Sequence, residues 1–244
     1  MELSTVVVTG SSGGIGSVVA QELVRSGYRV LGLDQRAPSF ELEGFQAVSL
    51  DLAEPDQIDA ALKTRQSKVG SIIHCAAEQP NLGAGDGGDL ALWLRAYSVN
   101  VLAIEHLVSA LKGELEVTKP HRVIAIGSVH DKLTSNKMAP YSASKAALAA
   151  WIRAAALDLA SHGIAAIGIS AGAVDSPKLH EGLLRFENRD AALEKLVSKL
   201  PAGRLVQPKD VADLCMFLLT PAGQHFTGSN VGYDSGVSGV LASE

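Results

Sequence analysis

Tyr141 and Lys145 stand four residues apart in the run Tyr-Ser-Ala-Ser-Lys. On a helix the two side chains share one face. A phenol beside an ammonium forms an acid–base pair in which the cation sets the proton affinity of the phenol. A free tyrosine titrates at about 10, too high for a base at neutral pH. Lowering that to about 7 takes roughly 4 kcal/mol of preference for the phenolate. One cation about 4 Å away supplies an interaction of that order at an effective dielectric of about 20. The spacing alone is common, and its bland reading is two solvated residues on a helix.

The elements that would position this pair begin at the N-terminus. Residues 3–9 form a β-branched run that reads as a buried strand. It leads directly into Gly10-Ser11-Ser12-Gly13-Gly14-Ile15-Gly16. An apolar helical pattern follows through Val18, Val19, Leu23 and Val24, and Gly27 ends it. Strand, glycine turn and helix are what a pyrophosphate needs. The turn lets the backbone come close, and the helix N-terminus offers free N–H groups and partial positive charge. A second strand, 29–34, ends in Asp34, about 20 residues beyond the turn, where a carboxylate accepts hydrogen bonds from an adenosine ribose. Its charge repels a 2′-phosphate, which favours NAD over NADP. Arg36 pulls the other way, while Ser11, Ser12 and Gln35 add no cation.

With these motifs in order, the chain resembles the short-chain dehydrogenase/reductase family in its single-domain form, over nearly its whole length. Thr9 to Gly16 matches the family's cofactor turn. Asp51-Leu52 is similar to the pair that holds the adenine ring. Asn100, Ser128, Tyr141 and Lys145 match the catalytic tetrad. Val174 and Ser176-Pro177 resemble the nicotinamide-binding segment, and Gly203-Arg204 with Thr227 to Asp234 resembles the C-terminal signature. The resemblance implies a cofactor held by Gly10, Ser12, Gly14, Ile15, Gly16, Asp34, Asp51, Leu52, Ala76, Tyr141, Lys145, Val174 and Ser176. It also implies hydride transfer. Tyr141 is the general acid/base, Ser128 orients the substrate oxygen, and Lys145 binds the nicotinamide ribose and lowers the Tyr141 pKa. Asn100 holds a water that relays protons. The oxidised substrate would be a secondary alcohol and the reduced one a ketone.

Three positions depart from the family pattern. Cys75-Ala76-Ala77 replaces Asn-Ala-Gly, which exchanges the asparagine that ties the central sheet for a weak donor and puts a Cβ near the cofactor ribose. Ala171-Gly172 replaces Pro-Gly and loosens the nicotinamide loop. Asp234-Ser235-Gly236 replaces Asp-Gly-Gly. None removes a catalytic group. Two rival functions follow from these details: an NADPH-dependent carbonyl reductase, favoured by Arg36, and a non-catalytic NAD-sensing protein, favoured by Cys75-Ala76-Ala77.

The rest of the chain fits a doubly wound α/β fold. Strands near 3–9, 29–34, 46–50, 69–75, 121–127, 164–170 and 229–233 alternate with helical patterns. This implies a Rossmann-like parallel sheet of about seven strands with helices on both faces, in one domain spanning 1–244. The 244 residues are 47% apolar and carry a net charge of −5. No basic patch recommends nucleic acid. No apolar run approaches the ~20 residues of a membrane span, and the first ten residues lack the features of a signal peptide. Cys75 and Cys215, in apolar segments, read as reduced buried thiols of a cytoplasmic protein. The histidines lack metal spacing. His74 reads as a core histidine. His130, two residues after Ser128 at a strand's carboxyl end, is a candidate substrate contact alongside Ser128 and Tyr141. Gly127-Ser128-Val129 lacks the hydrolase elbow. The glycine-rich stretch 82–88 reads as a flexible loop. Residues 177–201 read as a mobile cover rich in polar side chains, suited to a small hydroxylated or anionic substrate. Finally, 142–160 is apolar almost all round, which predicts a helix buried on two sides and a homo-oligomer, a tetramer as in the resembling family.

Overall fold

The computed structural model describes residues 4–86 and 89–240. The start of the first predicted strand, and Gly87 and Gly88 of the glycine-rich loop, lie outside the described residues. Seven strands form one parallel sheet: β1 Thr5–Thr9, β2 Arg29–Asp34, β3 Phe45–Ser49, β4 Val69–His74, β5 Arg122–Ile126, β6 Ala165–Ala171 and β7 Asn230–Tyr233. Their spatial order is β3-β2-β1-β4-β5-β6-β7. The order reverses between β1 and β4, the switch point beside which such sheets bind ligands at their carboxyl ends. The expected strands are present, with ends displaced by a residue or so, as fraying termini allow.

Both faces of the sheet are covered, as the continuous apolar runs of its central strands require. Alternate side chains serve opposite cores. Val7, Ile72, Val123 and Ala125 pack on one face with Ile104, Leu107, Leu111, Leu148 and Ile152. Val6, Val8, Ile73, Ile124 and Ile126 pack on the other with Val19, Leu23, Val211 and Leu218. The first face is made by α2 Pro55–Leu62, α3 Leu90–Tyr97, α4 Ala103–Val117 and α5 Ala139–Asp158. The second is made by α1 Gly16–Arg25 and α8 Pro208–Leu219. The segment expected as a cover, residues 177–201, contains two helices, α6 Pro177–Leu183 and α7 Arg189–Val197.

Two local features were not anticipated. The helix that carries Asn100 is interrupted by a π-helical turn, Ser98–Leu102, that joins α3 to α4. Such turns widen the helix by one residue and are frequent at functional sites. Ser235 takes φ +56, a left-handed conformation that costs a side chain energy. The Asp234 carboxylate holds this turn by accepting the N–H groups of Gly236 and Ser238, both at 3.0 Å. The departure from the family's glycine is thus accommodated by its neighbour.

α5 begins at Ala139, three residues earlier than the pattern suggested, so Tyr141 lies in its first turn. Its inward face buries Ser144, Lys145, Leu148, Ile152 and Ala156. The opposite face leaves Ala146, Ala150 and Ala154 exposed, and Leu157 is 79% accessible. No helix among the described residues is long and apolar enough to cross a membrane.

Candidate active site

β1 delivers the chain to a turn that only glycine can make. Gly10 has φ +66, and a Cβ there would stand 2.7 Å from the backbone nitrogen of Ala76. A Cβ on Gly16 would meet the Gly10 carbonyl at 2.1 Å. The turn closes through Gly13 N–H to the Gly10 carbonyl at 2.9 Å, and α1 starts without any side-chain cap. The Ser17 and Val18 N–H groups already donate to the Gly13 and Ile15 carbonyls, at 3.0 and 3.1 Å, so among the described residues the N–H groups left to an anion are those just before them, Gly14 to Gly16. The end of β2 supports the same turn. Asp34 accepts the Ser12 N–H on Oδ2 at 3.0 Å and the Arg36 N–H on Oδ1 at 2.9 Å, while Ser12 Oγ donates to the Arg36 carbonyl at 2.9 Å. A carboxylate has about four acceptor sites, so Asp34 keeps capacity for ribose hydroxyls.

The sheet tie left open by Cys75 is made one residue earlier. The Ala76 N–H donates to Thr9 Oγ1 at 3.2 Å, and Thr9 Oγ1 lies 2.8 Å from His74 Nδ1. The hydroxyl oxygen has two lone pairs, so which of Oγ1 and Nδ1 donates in this contact depends on the imidazole tautomer. Nε2 faces the Val99 and Asn100 carbonyls but completes no hydrogen bond of normal geometry. Burial and the charge of Lys145 push His74 down to about 3, so it is neutral. Cys75 differs from expectation in being half-buried. It lines the cleft, and burial pushes its thiol up to about 12. Cys215 is buried, as expected.

Asn100 is fully buried and its amide is engaged. Oδ1 accepts the Glu78 N–H at 2.7 Å, and Nδ2 donates to the Glu78 carbonyl at 2.9 Å and to Ser144 Oγ at 2.8 Å. Ser144 Oγ in turn donates to the Tyr141 carbonyl at 2.7 Å. The π turn therefore clamps the loop after β4 onto the first turn of α5.

β5 ends at Ile126, whose carbonyl accepts the Lys145 ammonium at 2.8 Å. Lys145 is 1% accessible, and burial pushes it down to about 8. Its Nζ lies 5.7 Å from the centre of the Tyr141 ring. Burial also raises the Tyr141 pKa, while the Ser128 hydroxyl pulls it back. The net shift of Tyr141 is therefore upward, against the lowering expected from Lys145. The ammonium is directed at a carbonyl, and desolvation of the phenolate dominates. His130 packs its ring edge-on against Tyr141 with centroids 5.5 Å apart. Its Nδ1 is buried without a hydrogen-bond partner among the described residues, and burial lowers its pKa.

These groups face one cleft of about 1770 Å³ that runs from the glycine turn to α6 and α7. Gly10, Ser12, Gly14, Ile15, Gly16, Asp34, Leu52, Ala76, Ser128, His130, Tyr141, Lys145, Val174 and Ser176 line it. Asp51 and Asn100 do not. Asp51 Oδ2 pairs with Arg95 at 2.5 Å, and Arg95 also reaches Glu78 at 3.2 Å. The guanidinium holds the Asp51 carboxyl below its ordinary range. Arg95 itself lines the cleft beside Leu52, a role its position on a helix did not signal.

A family model described as "Enoyl-(Acyl carrier protein) reductase" matches residues 10–238. A 2-(S)-hydroxypropyl-CoM dehydrogenase of Xanthobacter autotrophicus is 27% identical over an alignment that covers 96% of each chain. A 3-oxoacyl-(acyl-carrier-protein) reductase of Vibrio cholerae is 25% identical, over 97% of this chain and 98% of its own. The crystal structure of a short-chain dehydrogenase family protein from Francisella tularensis superimposes with a TM-score of 0.89 at 23% identity, covering 98% of this chain and 100% of that one.

Proposed function

The chain belongs to the short-chain dehydrogenase/reductase family, and we propose that it transfers a hydride between NAD(H) and a small polar secondary alcohol or ketone, with Tyr141 as general acid/base. The family works with nicotinamide dinucleotides, NAD or NADP. The observation that carries the reading is that Ser128, Tyr141 and Lys145 line the same cleft as an uncapped helix N-terminus. A pyrophosphate fits that N-terminus, and Asp34 at the end of β2 fits the adenosine ribose. When bound, the nicotinamide supplies the carbon that accepts or gives up the hydride.

The residues do the rest. Ser128 holds the substrate oxygen. Tyr141 takes the hydroxyl proton in oxidation and returns it in reduction. Burial favours the protonated phenol, so Tyr141 is ready for reduction, and oxidation depends on Lys145 to stabilise the phenolate. Lys145 also holds the nicotinamide ribose. Asn100 clamps the Glu78 backbone, and its part in a proton relay falls to its remaining acceptor positions. His130, edge-on to Tyr141, forms part of the substrate wall. Residues 177–201 act as the cover. The exposed alanines of α5 and Leu157, joined to α4 through the 2.6 Å bond from Trp151 Nε1 to Glu105, form a face for a second subunit. Small residues let such helices approach closely, and twofold symmetry pairs the face with itself.

One observation supports a second reading as an NADPH-dependent reductase. Arg36 lies over the turn, its guanidinium nitrogen 3.5 Å from where a Gly13 Cβ would stand. Titrating the protein with NADH and with NADPH separates the two. NADH is expected to bind more tightly, and Asp34→Ala to close the gap by weakening NADH and easing NADPH. Tighter NADPH binding by the native protein would transfer the assignment to Arg36.

Tyr141→Phe removes one oxygen and is expected to cut turnover by about 10²–10⁴ with NADH affinity retained; undiminished turnover would sink the mechanism. Light scattering at micromolar protein is expected to give a multiple of the 25.4 kDa chain mass, four being favoured. A clean monomer would refute the subunit face on α5.

A further inference from the structure

Beyond Pro177 the cleft wall carries positive charge that the protein does not neutralise. Lys178 pairs with Glu181 at 3.0 Å, and His180 with Asp175 at 2.7 Å. Arg185, Lys195 and Lys199 also line the cleft. Their side-chain nitrogens make no ion pair or hydrogen bond among the described residues. The Arg185 guanidinium lies 4.9 Å from the Phe186 ring centre, which steadies it without spending its donors. Glu187 is the one carboxylate on this stretch of wall left unpaired among the described residues.

α7 is sided by charge. Ala191, Ala192, Lys195 and Leu196 recur at helical spacing on the cleft side, and Lys199 continues the stripe past the helix end. Asp190 and Glu194 of the same helix do not line the cleft. No residue of α7 is fully buried, so core packing does not dictate this orientation. The whole chain carries −5, and its average field repels anions. A local excess of cations in a cleft reverses that field where a ligand enters. His130 lines the same cleft, and burial favours its neutral form.

We propose that the substrate carries an oxyanion, a carboxylate or a phosphate, held by Arg185, Lys195 and Lys199 while its alcohol or ketone carbon lies at Tyr141. This rests on the hydride-transfer reading above and narrows its substrate class. Arg185 presents the planar donor fork that matches such groups, and the lysines add point charges.

Two matched pairs test it with NAD: 3-hydroxybutyrate against its methyl ester, and glycerol 3-phosphate against glycerol. In at least one pair the anion is expected to show a kcat/KM about tenfold or more above its neutral partner, the effect of one or two charge-assisted contacts. The favoured pair tells carboxylate from phosphate. The triple variant R185Q/K195Q/K199Q should bring that ratio towards one, with the loss in KM, while Glu194→Gln, on the outer side of α7, leaves it unchanged. Equal or better use of the neutral partners, or a preference that survives the triple variant, would overturn the oxyanion site and leave the hydride-transfer reading standing. A matching loss of NADH affinity in the triple variant would assign the cations to the cofactor and overturn it too. Absence of any Tyr141-dependent turnover with all four compounds would overturn both.

Discussion

A positive charge lies buried in this molecule with no carboxylate paired to it among the described residues. Lys145 reaches through the first turns of α5 to the carbonyl of Ile126, 2.8 Å away, and is almost inaccessible to water. Taking an ammonium out of water costs several kcal/mol even after relaxation. One carbonyl does not offset that, and the lysine responds by holding its proton less firmly, at about 8. The same charge helps keep His74 neutral. A cost of this kind persists where surrounding structure enforces it. Here the enforcing structure is the junction of β1, β4 and β5 with α5.

That junction is a chain of short polar contacts. Thr9 joins β1 to His74 and Ala76 at the end of β4. The π turn places Asn100 against both the N–H and the carbonyl of Glu78 and against Ser144. Ser144 then holds the Tyr141 carbonyl. The tyrosine and lysine are consequently fixed by groups well outside the cleft surface, and the glycine turn and Asp34 are held to the same edge of the sheet by the Gly10 approach to Ala76. Phenol, ammonium and helix N-terminus are thereby kept in register without any loop having to order itself.

Much of this was legible in the sequence because it depends on local rules. Buried parallel strands read as continuous apolar runs, and Gly10 and Gly16 mark a turn that tolerates no Cβ. The order of Asn100, Ser128, Tyr141 and Lys145 along the chain matches the family. What was not legible depends on three-dimensional neighbours. The π turn leaves no pattern that a helical periodicity would show. The engagement of Asp51 by Arg95 needs two segments 44 residues apart. His74 reads as one more core residue until Thr9 is seen beside it. The expected lowering of the Tyr141 pKa was weighed as a pairwise attraction without desolvation, which acts in the opposite direction. Burial, which no spacing reveals, is the larger effect here.

The dependence of Tyr141 on the buried ammonium is open to one direct measurement: kcat/KM for alcohol oxidation as a function of pH, in the native protein and in Lys145→Met. If Lys145 stabilises the phenolate during oxidation, the native rate rises with pH to a plateau. In Lys145→Met the midpoint then moves up by at least about one unit, the equivalent of 1.4 kcal/mol, and the rate below it falls. Identical midpoints in the two proteins would contradict the coupling on which the acid–base assignment rests.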